Sequence, residues 1–183
     1  MPLWKLQTLR RFGALIQLLA RSAWVQHIRA NPRNAPAVGG ATDLELFLFG
    51  GARVDLSAAR RALQEMQENR CFYCAMQQDP HVDHFIPWSR YPRDLAQNFV
   101  LAHGACNLDK GDMLSAPAHL AHWVKRNREL GADLAARLSP AGFLDDQPAA
   151  LQVARWAYRQ AEATSAQLWV SLKYTDSWNA LAR

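Results

Sequence analysis

The chain has 183 residues and a mass of 20.6 kDa, with half of its residues hydrophobic and a net charge of +5. That bounds it to one domain, or one domain with an added lobe, and excludes collagen-like and low-complexity classes. Three cysteines cannot make a disulfide framework and point to a reducing, cytoplasmic compartment, while the basic surplus suits an anionic partner.

Taken in chain order, Leu3 to Arg29 reads as one amphipathic helix, because Leu6, Leu9, Phe12, Leu15, Ile16, Leu19 and Val25 recur at helical spacing. Arg10-Arg11 before an apolar run resembles a signal peptide, but Gln17 and Arg21 interrupt it. Nothing approaches the ~18 apolar residues of a membrane span. Asn31 to Gly40 is a linker or loop, and Asp43 to Phe49 is ambiguous. A second helix is expected over Leu56 to Asn69, with Ser57 as N-cap. Strand-like runs follow at His81 to Ile86 and Asn98 to His103, then a short helix from Cys106. Pro117 to Leu138 is a helix capped by Ser115, with Leu120, Trp123, Val124, Leu130 and Leu134 on one side. A last helix covers about Pro148 to Leu172. Trp4, Trp24, Trp123, Trp156 and Trp169 fall in helical patterns and are expected in the core; Trp88, beside Pro87, is the tryptophan expected near a substrate. The expected fold is therefore α+β and mainly helical, divided as 1–54, 55–115 and 116–183.

Charge is uneven along these pieces. Residues 1–70 carry ten Lys/Arg against five Asp/Glu, whereas residues 71–115 carry three against five. An acidic middle between basic flanks is the distribution expected where a cation is held beside a polyanion. All three cysteines lie in that middle. Cys71 and Cys74 form a C-x2-C pair, and His103 and Cys106 an H-x2-C pair, with 28 residues between Cys74 and His103. Two such knuckles supply the four ligands of a tetrahedral structural Zn²⁺, which contributes folding free energy to a segment with few large apolar residues.

Between the knuckles stand His81-Val-Asp-His-Phe-Ile-Pro87 and Asn98-Phe-Val-Leu-Ala, followed by Cys106-Asn-Leu-Asp-Lys110. From Cys71 to Asp112 this order resembles the HNH endonuclease family, in the version whose ββα-metal core is braced by zinc. The outer helices carry no such resemblance. The resemblance implies cleavage of DNA, double-stranded DNA being favoured, to leave 5′-phosphate and 3′-hydroxyl ends. It also implies that Asn98 holds the loop and orients His84. The residue chemistry is consistent with that reading. A histidine's unperturbed pKa lies near neutrality, so His84 suits a general base. Asp83 and Asn107 offer hard oxygens to a catalytic Mg²⁺ or Mn²⁺. Lys110, three residues beyond Asn107, would reach a phosphate from the same helix side, and Arg90 and Arg93 would grip the backbone from the connecting loop. Lys125, Arg126 and Arg128, with Arg10 and Arg11, are candidates for non-specific phosphate contacts.

Taken singly, each of these residues has a plainer role as a cap, a turn or a solvated charge. Neighbours on a strand face opposite ways, so Asp83 and His84 share a site only where the strand twists, bulges or ends. The expected function is a metal-dependent DNA endonuclease, with bacterial phage defence as a setting. The alternatives are a zinc-dependent nucleic-acid-binding module without catalysis, and the nuclease part of a larger assembly targeted by protein partners.

Overall fold

The computed structural model describes residues 12–34, 55–77 and 79–181. Two units emerge from the chain, Met1–Ala52 and Arg53–Arg183. In the first, α1 (Gly13–Ala30) ends at Asn31, and a 3-10 turn, Pro32–Asn34, is tied back by the Asn34 amide donating to the Ile28 carbonyl at 3.2 Å. Phe12, Ile16, Leu19 and Trp24 are exposed, so Trp24 is not a core residue. The expectations for Leu3 to Arg11 and for 35–54, including Trp4, Arg10, Arg11 and the run Asp43 to Phe49, lie outside the described residues. No helix among the described residues is long and apolar enough to cross a membrane.

The second unit holds α2 (Ser57–Met66), β1 (Pro80–His84), β2 (Phe99–His103), α3 (Gly104–Lys110), α4 (Pro117–Leu138), α5 (Gln147–Thr164), β3 (Gln167–Ser171), β4 (Tyr174–Ser177) and a closing turn of helix, α6 (Trp178–Leu181). The α+β, mainly helical class is as expected. β1 and β2 pair antiparallel, with Asp83 opposite Val100 and His84 opposite Phe99. Every residue of β2 is buried. One side of this hairpin meets a core built from Leu63 of α2, Phe99 and Leu101 of β2, Leu134 and Leu138 of α4, and Phe143. Phe85 stacks on Trp123 at 4.9 Å, and both are fully buried. Side chains of that size contribute about 1.5–3 kcal/mol each on burial, which fixes α4 against the end of β1.

Three local expectations are corrected. Ser57 is not the N-cap of α2: Asp55 accepts both its amide, at 2.9 Å, and its hydroxyl, at 2.8 Å. Ser115 makes no cap hydrogen bond to α4, where Ala116 is the N-cap; instead its carbonyl accepts the buried Tyr158 hydroxyl. Most consequentially, the last helix stops at Thr164. Ser165 enters the left-handed region (φ 49°) and Ala166 donates back to Ala161 at 2.9 Å, a helix stop followed by an antiparallel hairpin. Trp169 therefore sits on a strand, buried, and exchanges backbone hydrogen bonds with Leu114 and Ala116. Val124 and Leu130, expected to face inward from α4, are exposed, because its buried stripe runs through Trp123, Asn127, Leu134 and Leu138.

Candidate metal centre and catalytic cleft

The turn after α2 carries Cys71 and Cys74. Phe72 donates to the Leu101 carbonyl at 2.7 Å, and the Gln67 side chain both donates to and accepts from the Leu101 backbone, so this knuckle is sewn to β2. His103 ends β2 and Cys106 lies in the first turn of α3. Gly104 between them allows close approach, since a Cβ there would come within 2.9 Å of Asp79 and 3.1 Å of the His81 ring. The donor atoms of Cys71, Cys74, His103 and Cys106 all lie within 4.8 Å of one another, and the Cys74 sulfur is 3.5 Å from His103 Nδ1. Zn–S bonds near 2.3 Å put tetrahedral ligands ~3.8 Å apart, so three sulfurs and an imidazole in this space fit zinc. Burial, and then the neighbouring Cys71 and Cys74, push the Cys106 thiol up. A divalent cation relieves that crowding by holding the sulfurs as thiolates. Trp169 covers the cluster from the C-terminal hairpin, and its indole N–H donates to Asp109 at 2.8 Å.

A cleft of about 370 Å³ opens at the end of β1, and Asp83, His84, Asn107, Trp88, Asp94 and Asp112 are among its lining residues. Asp83 and His84 reach the same cleft because His84 is the last residue of β1. Beyond it, the chain bends, and Asn98 clasps the bend by accepting from the Ile86 amide at 2.8 Å and donating to the Ile86 carbonyl at 2.9 Å. Asn98 is buried and away from the lining.

Asp83 is nearly enclosed, and its carboxylate meets the Lys110 ammonium at 3.0 and 3.3 Å. The Tyr73 hydroxyl donates to the same carboxylate. Burial first, and then the Asp83 charge, push the Tyr73 phenol well up, which keeps it a donor. Lys110 is fully buried and also donates to the His84 carbonyl at 3.1 Å. This corrects the expectation that Lys110 reaches a phosphate: a lysine with no exposed surface, paired to a buried carboxylate, braces Asp83 instead. The His84 imidazole meets Asp94 at 2.8 Å through Nε2, and its ring makes edge-type contacts with Trp88 and Phe99, at centroid distances of 5.2 and 5.0 Å.

Arg90 is exposed, and its Nε lies 3.4 Å from the carbonyl of Asp112, a lining residue of the cleft. Burial raises the Tyr91 phenol, and Arg93, directed to that hydroxyl, opposes the rise in part by its hydrogen bond and then by its charge. Arg126 is buried rather than solvated, donating to the Gln97 and Phe99 carbonyls at 3.0 Å, and burial lowers its pKa to about 10. It is therefore a core strut and not a phosphate contact, whereas Lys125 and Arg128 are exposed. A second concavity, of about 560 Å³, shares Leu56 and Val82 with the cleft and adds Arg60, Arg61 and His81. The sequence reading missed these two arginines, as it missed Tyr73 and Asp94. Tyr73 had a signal in its place between two ligand cysteines, but nothing local singled out the other three.

Residues 71–113 match the family model described as HNH endonuclease. A search among curated proteins finds none that matches the chain.

Proposed function

We propose, from the premise that residues 71–113 are an HNH endonuclease domain, that this chain hydrolyses phosphodiester bonds in double-stranded DNA with the help of a divalent cation. The observation that carries this reading is the convergence of Asp83, His84 and Asn107 on one cleft, beside a Cys3His cluster suited to a structural zinc.

The donor set fits a hard cation. A carboxylate offers about four lone-pair directions, and the contacts with Lys110 and Tyr73 leave room on Asp83 Oδ1. Asp83 and the Asn107 amide oxygen would hold Mg²⁺ or Mn²⁺, with water and phosphate oxygens completing its sphere. When bound, the ion supplies charge stabilisation at the departing 3′-oxygen. The rest is done by the chain. His84 takes a proton from water, whose oxygen forms a bond to phosphorus in line as the P–O3′ bond breaks. The 3′-oxygen leaves with the electron pair and is protonated from solvent, giving 5′-phosphate and 3′-hydroxyl ends. Lys110 and Tyr73 fix the Asp83 rotamer, and Asn98 fixes the bend that presents His84. Arg90 at the rim, and Arg60 and Arg61 in the adjoining concavity, offer cations to flanking phosphates. The net charge of +5 supports a polyanionic partner. Cleavage of phage DNA in a bacterial cytoplasm, with partner proteins supplying the target, is the setting we attach to this chemistry.

The test is supercoiled plasmid incubated with the zinc-loaded chain and Mg²⁺ or Mn²⁺, with and without EDTA. Nicking that requires the added cation is expected. A DNA gel shift that survives EDTA, with no nicking under any cation, would make the chain a binding module and defeat the proposal.

A further inference from the structure

We propose that Asp94 is a positioning residue that holds His84 as its Nε2–H tautomer, leaving Nδ1 as the atom that accepts the proton; the inference rests on the reading of His84 as the base. The His84 Nε2–Asp94 Oδ1 separation is 2.8 Å, and the two side chains are only 14% and 13% exposed. An ionised carboxylate can only accept, so the ring nitrogen facing it must carry the hydrogen. The other nitrogen then keeps its lone pair, and His84 Nδ1 has no hydrogen-bond partner among the described residues. Trp88 and Phe99 pack against the ring at 5.2 and 5.0 Å, with planes 63° and 62° from its own, and so restrict how it can turn.

Asp94 is itself held from outside the matched segment. The Leu144 amide donates to the Asp94 carbonyl at 3.4 Å, the Ala96 amide donates to the Leu144 carbonyl at 2.9 Å, and Leu95 bridges Leu144 in parallel. The stretch between α4 and α5 thus sets the height of Asp94 against His84. When the ring takes up a proton at Nδ1 it becomes a cation, and the carboxylate already in contact with Nε2–H stabilises that charge without reorganising.

The experiment uses the zinc-loaded full chain. Long-range ¹H–¹⁵N correlation spectra of the histidine rings, with His84 assigned by its absence in His84→Gln, read the tautomer directly and without turnover. The wild-type protein is expected to show hydrogen on Nε2 and a bare Nδ1. Asp94→Ala is expected to give a tautomer mixture. Asp94→Asn, whose amide can donate to Nε2, is expected to move the hydrogen to Nδ1. Both variants are expected to lose about 10–100-fold in kcat, with KM and zinc content unchanged. Asp94→Asn is nearly isosteric, so it and the wild-type spectrum decide the question even where Asp94→Ala fails to fold. Hydrogen on Nδ1 in the wild type, or wild-type kcat in Asp94→Asn, would overturn the inference. An inactive His84→Ala beside fully active Asp94 variants would sink only this proposal, whereas an active His84→Ala would sink the reading beneath it.

Discussion

Replacing Lys110 with Met keeps most of the side-chain length and deletes the ammonium. In the wild-type protein that ammonium is fully buried, 3.0 Å from Asp83 and 3.1 Å from the His84 carbonyl. Without it, Asp83, 7% exposed, keeps only the Tyr73 hydroxyl as a described partner. Stranding one member of a buried pair costs about 3–5 kcal/mol. The ceiling has a physical origin: an uncompensated buried carboxylate can take up a proton instead of staying charged. A loss of that size is a large share of a typical domain's ~5–15 kcal/mol. At about 3 °C per kcal/mol it lowers the melting temperature by roughly 10–15 °C. Urea and thermal denaturation of the zinc-loaded protein measure this directly. Adding Asp83→Asn, which removes the stranded charge, is expected to recover part of the loss, so the double variant costs less than the two single variants together. A Lys110→Met protein within about 0.5 kcal/mol of wild type, with a raised KM for DNA, would refute the bracing role and return Lys110 to the substrate.

Further expectations are independent of that pair. Asn98→Ala deletes two buried hydrogen bonds to Ile86 and should cost about 2–4 kcal/mol in urea denaturation, and it should lower kcat because the bend carrying His84 loosens. One zinc per chain is expected by native mass spectrometry; Cys74→Ser should abolish it and lower the thermal stability of the β1–β2 hairpin, whereas Asp83→Asn should leave it in place. Asp55 is held below the usual carboxylate range first by the Ser57 amide, then by the Ser57 hydroxyl and Arg61. A depressed folded-state pKa stabilises above the unfolded value, near 3.9, and the gain disappears as pH falls through the folded value. Asp55→Ala should therefore lower the melting temperature at pH 7 and leave it unchanged near pH 2.

The middle of the chain was legible from local signals. Ligand spacing announced the Cys3His cluster, and two short strand-like runs parted by a polar loop placed both strands to within two residues. Pro117 and the following apolar period located α4 from end to end. The larger misreadings share one cause, which is that tertiary partners lie far away in sequence. Trp169 fits a helical period, yet Leu114 and Ala116, more than fifty residues earlier, recruit its backbone into a strand. Lys110 and Arg126 read as phosphate contacts because spacing cannot show that Asp83, or the carbonyls of Gln97 and Phe99, wait in the interior. Nothing local marks Asp94, because its tie to Leu144 is invisible in a one-dimensional pattern. The apparent conflict between adjacent Asp83 and His84 is resolved by where β1 stops, a boundary set by the Asn98 clasp on Ile86.

Side-by-side nicking of supercoiled DNA by the wild-type chain and His84→Ala, matched for bound zinc and supplied with the same Mn²⁺, bears most directly on the cleft. Removal of the base is expected to slow cleavage by about 10²–10⁴-fold while the melting curve and metal content stay put. Equal rates from the two proteins would mean that the bond is broken elsewhere.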